Sequence, residues 1–477
     1  MHDVVIRGGR VALDDGWAEC DIGIESGRIA ALGTGLAGTE IIEARDTWVL
    51  PGGIDAHCHL DQPTWGGADT ADDFWSGSLS AAFGGTTCMV PFAMPGPGMN
   101  ALAALDRALG CAQGRSLVDH GFHGVFTEET GSDVEIQVGQ LARRGVPSVK
   151  MFMTYEGFAV SDDLMLAVMD AARAYGATVM VHAENDAGIR RTTERLVALG
   201  RTGFRYHAVA RAEAFEREAT YRAVTLAEVT GARIVIVHVS CAQSADEVRR
   251  GRARGADAVG ETCPQYLLLT AADLDGPAHA AARFLFSPPP RSKASQLALW
   301  QALEKGEISL WSSDHSPYRL ADKLPKEGGE PAFHKAANGV PGLETRLPIL
   351  FSEGLLSGRL TMDRYLGLAG RNAAELYGLD RVKGRIAVGL DADLALWDPH
   401  RRWQVRQAEQ HSNVDFSCYE GLWLTGKPRD VLVRGRAVIR DGKLADATPA
   451  GRFVPRTRAE PDLARRPIED ATPWLDT

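Results

Sequence analysis

The chain has 477 residues, 45% of them hydrophobic and 24% charged, and its 52 basic and 62 acidic side chains leave a net charge of −10. These values exclude a disordered or collagenous chain, and the acidic balance argues against nucleic acid as a partner. No apolar run approaches the ~18 residues of a membrane helix. The segment Met1-His2-Asp3-Val4-Val5-Ile6-Arg7 lacks the basic and apolar regions of a secretory signal, and seven cysteines are too few for a disulfide scaffold, so reduced thiols and a cytoplasmic location are expected.

Short alternating strands open the chain. Residues 4–11, 18–24 and 29–32 are punctuated by Asp14-Asp15-Gly16 and by Glu25-Ser26-Gly27-Arg28, which is hairpin patterning. The pattern then changes. Apolar runs at 53–60, 86–93, 121–126, 148–155, 178–183, 233–240, 257–262 and 308–313 alternate with helix-like stretches at 102–112, 162–175, 212–229, 245–253 and 295–303. Continuous apolar strands alternating with helices predict a parallel sheet buried on both faces. Eight such runs point to a closed (β/α)8 barrel, with a doubly wound open sheet as the alternative. No glycine-rich phosphate loop follows an early strand, so nucleotide binding has no support. Late in the chain, 391–397 reads as a strand and 431–442 repeats the opening pattern. A lone hairpin is marginal in water, so both ends are expected to meet in one small β-domain; two unrelated β-appendages are the alternative. The 51 glycines, well above the usual share of roughly 7%, fit many tight turns.

Several apolar runs carry unusual polar residues. The first contains His57-Cys58-His59; residues two apart in a strand face the same side, so both imidazoles can serve one site. The fourth carries Lys150, the fifth ends in His182, the sixth in His238 and the eighth in Asp314. In a barrel these strand ends build the active site. A single histidine after a strand is usually a hydrogen-bonded core or loop residue. The joint placement of four histidines, a lysine and an aspartate at one mouth is the informative feature. Imidazole and carboxylate suit Zn²⁺ and related ions, and this set exceeds the three ligands of a single catalytic zinc, suggesting two metals. As an ammonium, Lys150 cannot bridge two dications. Reaction of its amine with carbon dioxide would make it an anion with two oxygens, whereas spacing alone favours a buried lysine paired to an acid.

Pro51-Gly52-Gly53-Ile54-Asp55-Ala56-His57-Cys58-His59 resembles the first-strand signature of the cyclic amidohydrolases. Ser148-Val149-Lys150-Met151-Phe152-Met153-Thr154-Tyr155 is similar to the carboxylated-lysine strand of hydantoinases and dihydropyrimidinases. Val181-His182-Ala183-Glu184-Asn185, Val237-His238-Val239-Ser240, Glu261-Thr262-Cys263-Pro264-Gln265-Tyr266-Leu267, Ser287-Pro288-Pro289-Pro290-Arg291, Ser313-Asp314-His315-Ser316-Pro317-Tyr318 and Asn338-Gly339-Val340-Pro341-Gly342-Leu343-Glu344 continue the resemblance in order, over about residues 3–445.

The resemblance implies a (β/α)8 barrel at 53–384 beside a β-sandwich formed by 1–52 and 385–446. The tail 447–477, rich in arginine and containing proline, reads as loose or packed on a neighbour. The resemblance further implies two divalent ions, zinc with manganese or cobalt as alternatives. His57 and His59 would hold the more buried ion, His182 and His238 the more exposed one, and N-carboxylated Lys150 would bridge them. Asp314 would bind the first ion and act as catalytic acid/base, with a metal-bridging hydroxide as nucleophile. Tyr155 would polarise the substrate carbonyl, and backbone at Ser287 and Asn338 would grip the ring amide. Trp65, Phe152 and Phe158 fall near the expected mouth and suit a hydrophobic substituent, though each is equally an ordinary packing residue. The implied reaction is hydrolysis of dihydropyrimidines or 5-substituted hydantoins to N-carbamoyl amino acids by a homotetramer or dimer acting on a small molecule, with no membrane partner. Allantoinase, or another cyclic ureide or imide hydrolase, is the nearest alternative. Dihydroorotase pairs its two histidines with an arginine where this chain has Asp61. A non-catalytic dihydropyrimidinase-like adaptor would have lost the ligands retained here. Two departures stand out. Cys58 sits between the ligands and is expected to pack away from them, and 60–67 differs from the usual hydantoinase loop.

Overall fold

The computed structural model describes residues 1–64, 68–325 and 329–457; Trp65 and the tail beyond 457 lie outside the described residues. The alternating strands of the opening segment form one sheet with the last strands of the chain, nine among the described residues. In order these are Lys443–Leu444, Arg436–Arg440, Trp423–Val433, Leu394–Gln404, Trp48–Pro51, His2–Leu13, Gly16–Glu25 and Arg28–Gly33, with Gly38–Glu43 also pairing with His2–Leu13. The chain ends join where residues 394–397 run antiparallel to 51–48. Three hairpins turn on Ser26-Gly27, Arg434-Gly435 and Asp441-Gly442, all six with φ between 47° and 78°. Such turns match the right-handed twist of their strands. Gly27 also lies close to Arg434, whose carbonyl oxygen would sit 3.1 Å from an added Cβ. Ile6, Ile22, Ile24, Leu394 and Leu432 fill the sheet's own core.

The apolar runs from 53 onward form the barrel. Gly53–Asp55, Thr86–Met89 and Asp119–His120 pair in parallel, and Phe92–Ala93, His123–Val125, Ser148–Phe152, Thr178–His182, Ile234–Ile236, Ala258–Thr262 and Leu310–Trp311 pair in parallel after them. The second run is interrupted at Pro91, which has no N–H to give a ladder, and the third at Gly121. The ring closes at its mouth. Asp314 N donates to His57 O at 2.9 Å and His59 N to His315 O at 2.8 Å. The architecture is therefore a (β/α)8 barrel beside a β-sandwich unit built from both ends of the chain.

The expected helices appear as Ala101–Ala112, Asp162–Tyr175, Glu213–Thr230, Ala242–Arg254 and Lys293–Lys305. Four of these end on a left-handed glycine, Gly176, Gly231, Gly255 and Gly306, which satisfies terminal carbonyls without a Cβ clash. Among the described residues, three further helices of ten or more residues were not expected, Phe74–Phe83, Val134–Arg143 and Asp186–Ala198, along with several shorter ones. Helix Asp186–Ala198 buries only Ile189 and Leu196, too thin a stripe to register as a 3.6-residue period. No described helix is long and apolar enough to cross a membrane.

Barrel and sheet are held together by a buried ion cluster. Lys383 Nζ lies 2.7 Å from Asp119, 3.1 Å from Asp391 and 2.6 Å from Asp393. Burial disfavours the ammonium, but the three carboxylates outweigh it and raise its pKa. The tail departs from expectation as far as residue 457. Residues 451–457 are neither loose nor displaced; they cross the floor of this chain's own barrel. His120 N donates to Arg452 O at 3.0 Å and Val454 N to His120 O at 2.8 Å, while the buried Arg456 guanidinium reaches Phe122 O and Ser148 Oγ.

Three buried histidines off the metal-ligand list predict acid sensitivity. Burial lowers His120 from 6.5 to about 4 and His207 to about 3, and moves His123 well below 6.5. Between these values and 6.5 the unfolded chain binds more protons than the folded one. Stability is therefore undiminished above pH 6.5 and falls as pH drops below it, by up to about 1.4 kcal/mol per pH unit for each histidine. Urea unfolding at pH 7, 6 and 5 should show a slope of two or more protons, reduced by about one in His120→Asn. A flat profile would contradict this account.

Candidate metal centre

The mouth of the barrel is set by strand ends. His57 and His59 follow Gly53–Asp55 and share a side, while Cys58 between them is fully buried in the main core. Asp55 Oδ1 accepts from His57 N and from Ser313 N, each at 3.2 Å, so one carboxylate fixes the first and eighth strands together. Tyr155, His238 and Asp314 have φ of 83°, 40° and 48°. Left-handed backbone at bulky residues is strained and clusters at functional sites.

Two groups of donor atoms converge. In the first, Asp314 Oδ1 lies 3.0 Å from His57 Nε2 and 3.3 Å from His59 Nε2. In the second, His182 Nδ1 faces His238 Nε2 at 2.9 Å. His57 and His238 ring centroids, one from each group, are 5.5 Å apart. Lys150 is 1% exposed, with Nζ 5.0 Å from the ring centroids of both Phe92 and Phe152. No carboxylate among the described residues forms an ion pair with it, so the paired-lysine alternative finds no partner.

Outer partners orient the rings. His57 Nδ1 donates to Glu261 Oε1 at 2.6 Å, and the same oxygen accepts from His238 N at 3.3 Å. His182 Nε2 donates to Glu184 Oε2 at 2.8 Å, and that oxygen also accepts from Arg211 Nη1 at 2.5 Å. His59 Nδ1 contacts the Gln62 amide at 2.6 Å. A carboxylate on one ring nitrogen leaves the other free for a metal and raises its basicity. Glu184 and Glu261 have no role in the sequence reading. Glu184 stands two residues after His182, the spacing that marks His57 and His59, and was legible by that rule. Gln62 and Arg211 carry no comparable signal.

Three of the four imidazoles are held in the neutral form that suits cation binding. Burial lowers His59 and takes His182 and His238 well below 6.5, leaving neutral imidazoles. Burial would raise Asp314, but His57 and its other imidazole neighbours hold it well below the usual carboxylate range. His57 moves the other way: burial lowers it, and the carboxylates of Glu261 and Asp314 outweigh that and raise it to about 9. Burial lowers Lys150 to about 8 against the pull of Glu261 and Asp314. The ligand atoms of His57, His59 and Asp314 all lie within 4.8 Å of one another. With a second imidazole pair alongside, this donor set fits divalent ions of the zinc type.

A wall of aromatic rings flanks these donors. Tyr155 meets His182 edge-on at 5.0 Å, and Phe152 meets Phe158 edge-on at 5.6 Å. The Arg211 guanidinium lies 4.9 Å over the Tyr155 ring, and the Tyr155 side chain hydrogen-bonds Ser287. Burial pushes the Tyr155 phenol up to about 12. Gly339 N donates to Leu285 O at 3.0 Å, joining the segment of Asn338 to that of Ser287. The structure thus brings together the six proposed metal residues with Tyr155, Phe152, Phe158, Ser287 and Asn338; Trp65 lies outside the described residues. His315, beside Asp314, is buried with Nε2 3.0 Å from Asp72, which also accepts from Asn413 N at 2.7 Å. Residues 411–415 of the C-terminal sheet unit therefore reach the barrel mouth.

Comparison with known proteins gives a consistent picture. Residues 48–438 match the description "Amidohydrolase family". The chain is 38% identical over 459 residues to a D-hydantoinase of Rhizobium radiobacter, covering 96% of this chain and 99% of that one. Among solved structures, a D-hydantoinase from Bacillus sp. AR9 superposes with a TM-score of 0.92 at 37% identity, covering 96% of this chain and 100% of that one. A dihydropyrimidinase from Brevibacillus agri superposes with a TM-score of 0.92 at 36% identity, covering 95% and 98%.

Proposed function

Because the chain belongs to the amidohydrolase family, and is a hydrolase of the hydantoinase/dihydropyrimidinase type acting on cyclic amides, we propose that it opens 5-substituted hydantoins and dihydropyrimidines to N-carbamoyl amino acids. The observation that carries this reading is the convergence of His57, His59 and Asp314 with His182, His238 and the unpaired Lys150, beside Tyr155, at one barrel mouth.

His57, His59 and Asp314 would hold one divalent ion and His182 and His238 the other, with N-carboxylated Lys150 shared between them. Bound there, zinc, or manganese or cobalt in its place, supplies Lewis acidity and makes water acidic enough to lose a proton near neutrality. Asp314 takes that proton and returns it to the ring nitrogen as the carbon–nitrogen bond breaks, first base and then acid. Water oxygen ends on the carbonyl carbon as a carboxylate, and the freed nitrogen becomes the ureido NH2. The Tyr155 hydroxyl, kept protonated by a pKa near 12, donates to the carbonyl oxygen as negative charge develops there; such a donor is worth about 3–4 kcal/mol. Backbone at Ser287 and Asn338 grips the ring amide, and Phe152, Phe158 and Tyr155 line the space for an apolar substituent. The enzyme is taken to act as a dimer or tetramer in a reducing compartment, which suits its free thiols.

One panel tests the reading: dihydrouracil, hydantoin, phenylhydantoin, allantoin and dihydroorotate, assayed with Zn²⁺ or Mn²⁺ and bicarbonate. Hydantoin, phenylhydantoin or dihydrouracil should give the highest kcat/KM. Allantoin ahead of all three would replace this substrate class with the polar ureides.

A further inference from the structure

Lys323 closes the short helix Leu320–Lys323 and is 1% exposed. Among the described residues no carboxylate forms an ion pair with it. Burial lowers its pKa to about 7; charged or neutral, a buried amine is costly unless its hydrogen bonds are made, and this one makes two to the main chain. Its Nζ donates to Leu285 O at 2.7 Å and to Ala337 O at 3.0 Å. Leu285 lies two residues before Ser287, and Ala337 immediately precedes Asn338. Both proposed substrate-gripping segments are therefore held by one side chain.

The surroundings leave that side chain little freedom. Leu320 N donates to Asp415 Oδ1 at 2.8 Å, and Ala337 N to Asp322 O at 3.1 Å. The Phe416 ring centroid lies 5.7 Å from Nζ. Gly339 has φ of +154°, and an added Cβ would stand 2.4 Å from Ser316 Cβ, so the Asn338 segment also packs closely on residue 316.

We propose that Lys323 is a positioning residue for the substrate: by bridging Leu285 O and Ala337 O it fixes the separation of the Ser287 and Asn338 backbone groups that receive the cyclic amide. The inference rests on the substrate reading given above. It makes Lys323 a determinant of ring binding, with no part in bond breaking. Removing an interaction that holds substrate and transition state equally raises KM and leaves kcat unchanged. A lysine that merely braced the fold would instead lower Tm and leave KM alone.

The test uses the metal-loaded enzyme and the best substrate of the panel. Lys323→Met should raise KM at least about tenfold with kcat within about threefold of the parent, at unchanged metal content. Lys323→Arg, which keeps donors for both carbonyls, should recover most of the lost affinity. An unchanged KM in a folded Lys323→Met protein overturns the proposal. If that variant does not fold, Lys323→Arg and Lys323→Gln decide by the same split, and amide hydrogen exchange gives a readout free of activity. Because Gly339 N also ties the two segments together through Leu285 O, parent and Lys323→Gln are compared: exchange at 285–287 and 337–339 should quicken in the variant, and unchanged rates overturn the bridge. A parent inactive on every substrate of the panel would defeat the substrate reading, while the exchange result would still stand for or against the bridge.

Discussion

Asp314→Asn should lower kcat/KM by about ten-thousand-fold, equivalent to roughly 5.5 kcal/mol of transition-state stabilisation. The carboxylate sits against His57 Nε2 and His59 Nε2, and neighbouring imidazoles hold it ionised throughout the neutral range. The Asp314 side chain, beside His57 and His59, ties no strands together and orients no ring from behind. Asp55 ties strands together, and Glu184 and Glu261 orient histidines. Asparagine keeps the size and the backbone bond from residue 314 to His57 O but cannot take up a proton. Circular dichroism and Tm should therefore change little while turnover collapses. Metal analysis separates the two roles of the group. Retention of both ions with lost turnover assigns proton transfer, whereas loss of one ion assigns ligation. Activity within tenfold of the parent would remove Asp314 from the chemistry.

Lys150→Ala should be nearly as damaging, lowering activity by about a thousandfold or more and reducing bound metal to one ion or none per chain. The lysine is buried between two phenylalanine rings, without an ion-paired carboxylate among the described residues. Burial lowers its pKa to about 8. The direction matters, because only the neutral amine attacks carbon dioxide. The reactive fraction rises about tenfold per unit up to pH 8 and levels off above it. With dissolved carbon dioxide held constant across the pH series, reactivation of metal-stripped enzyme with Zn²⁺ should follow that curve, and intact-mass analysis should show one added carbon dioxide. Acetate should partly restore Lys150→Ala by supplying a carboxylate where the side chain ended. Reactivation independent of both bicarbonate and pH would mean that the lysine acts unmodified.

The proposed metal residues stood out in the sequence because each breaks an otherwise apolar run, the histidines and Asp314 near strand ends and Lys150 within the strand Ser148–Phe152. His182 closes Thr178–His182, and nothing in packing requires an imidazole there. Glu184, two residues after His182, was equally visible, although a glutamate near a histidine has many ordinary uses; Glu261 has no histidine near it in the sequence. Contacts between distant segments were not legible. Asp72 with Asn413, Leu320 with Asp415, and His120 with Arg452 join positions with no shared periodicity, and the bonds run through backbone atoms that every residue has. Likewise the floor segment 451–457 offers only Phe453 and Val454 as apolar anchors, so its sequence reads as a loose end. The polar helix Asp186–Ala198 was missed because it covers the barrel with few apolar side chains.

The pairing of Leu394–Gln404 with Trp48–Pro51 also orders the events of synthesis. Strand 48–51 leaves the ribosome with one edge able to pair with His2–Leu13 and the other without its partner. That partner is made about 340 residues later, which at about 5–20 residues per second is a delay of roughly 20 to 70 seconds. An open strand edge is a template for pairing with other chains. The nascent barrel must therefore be completed while its own edge strand waits, and a stalled or truncated chain ending before residue 394 would carry that edge uncovered into the cell.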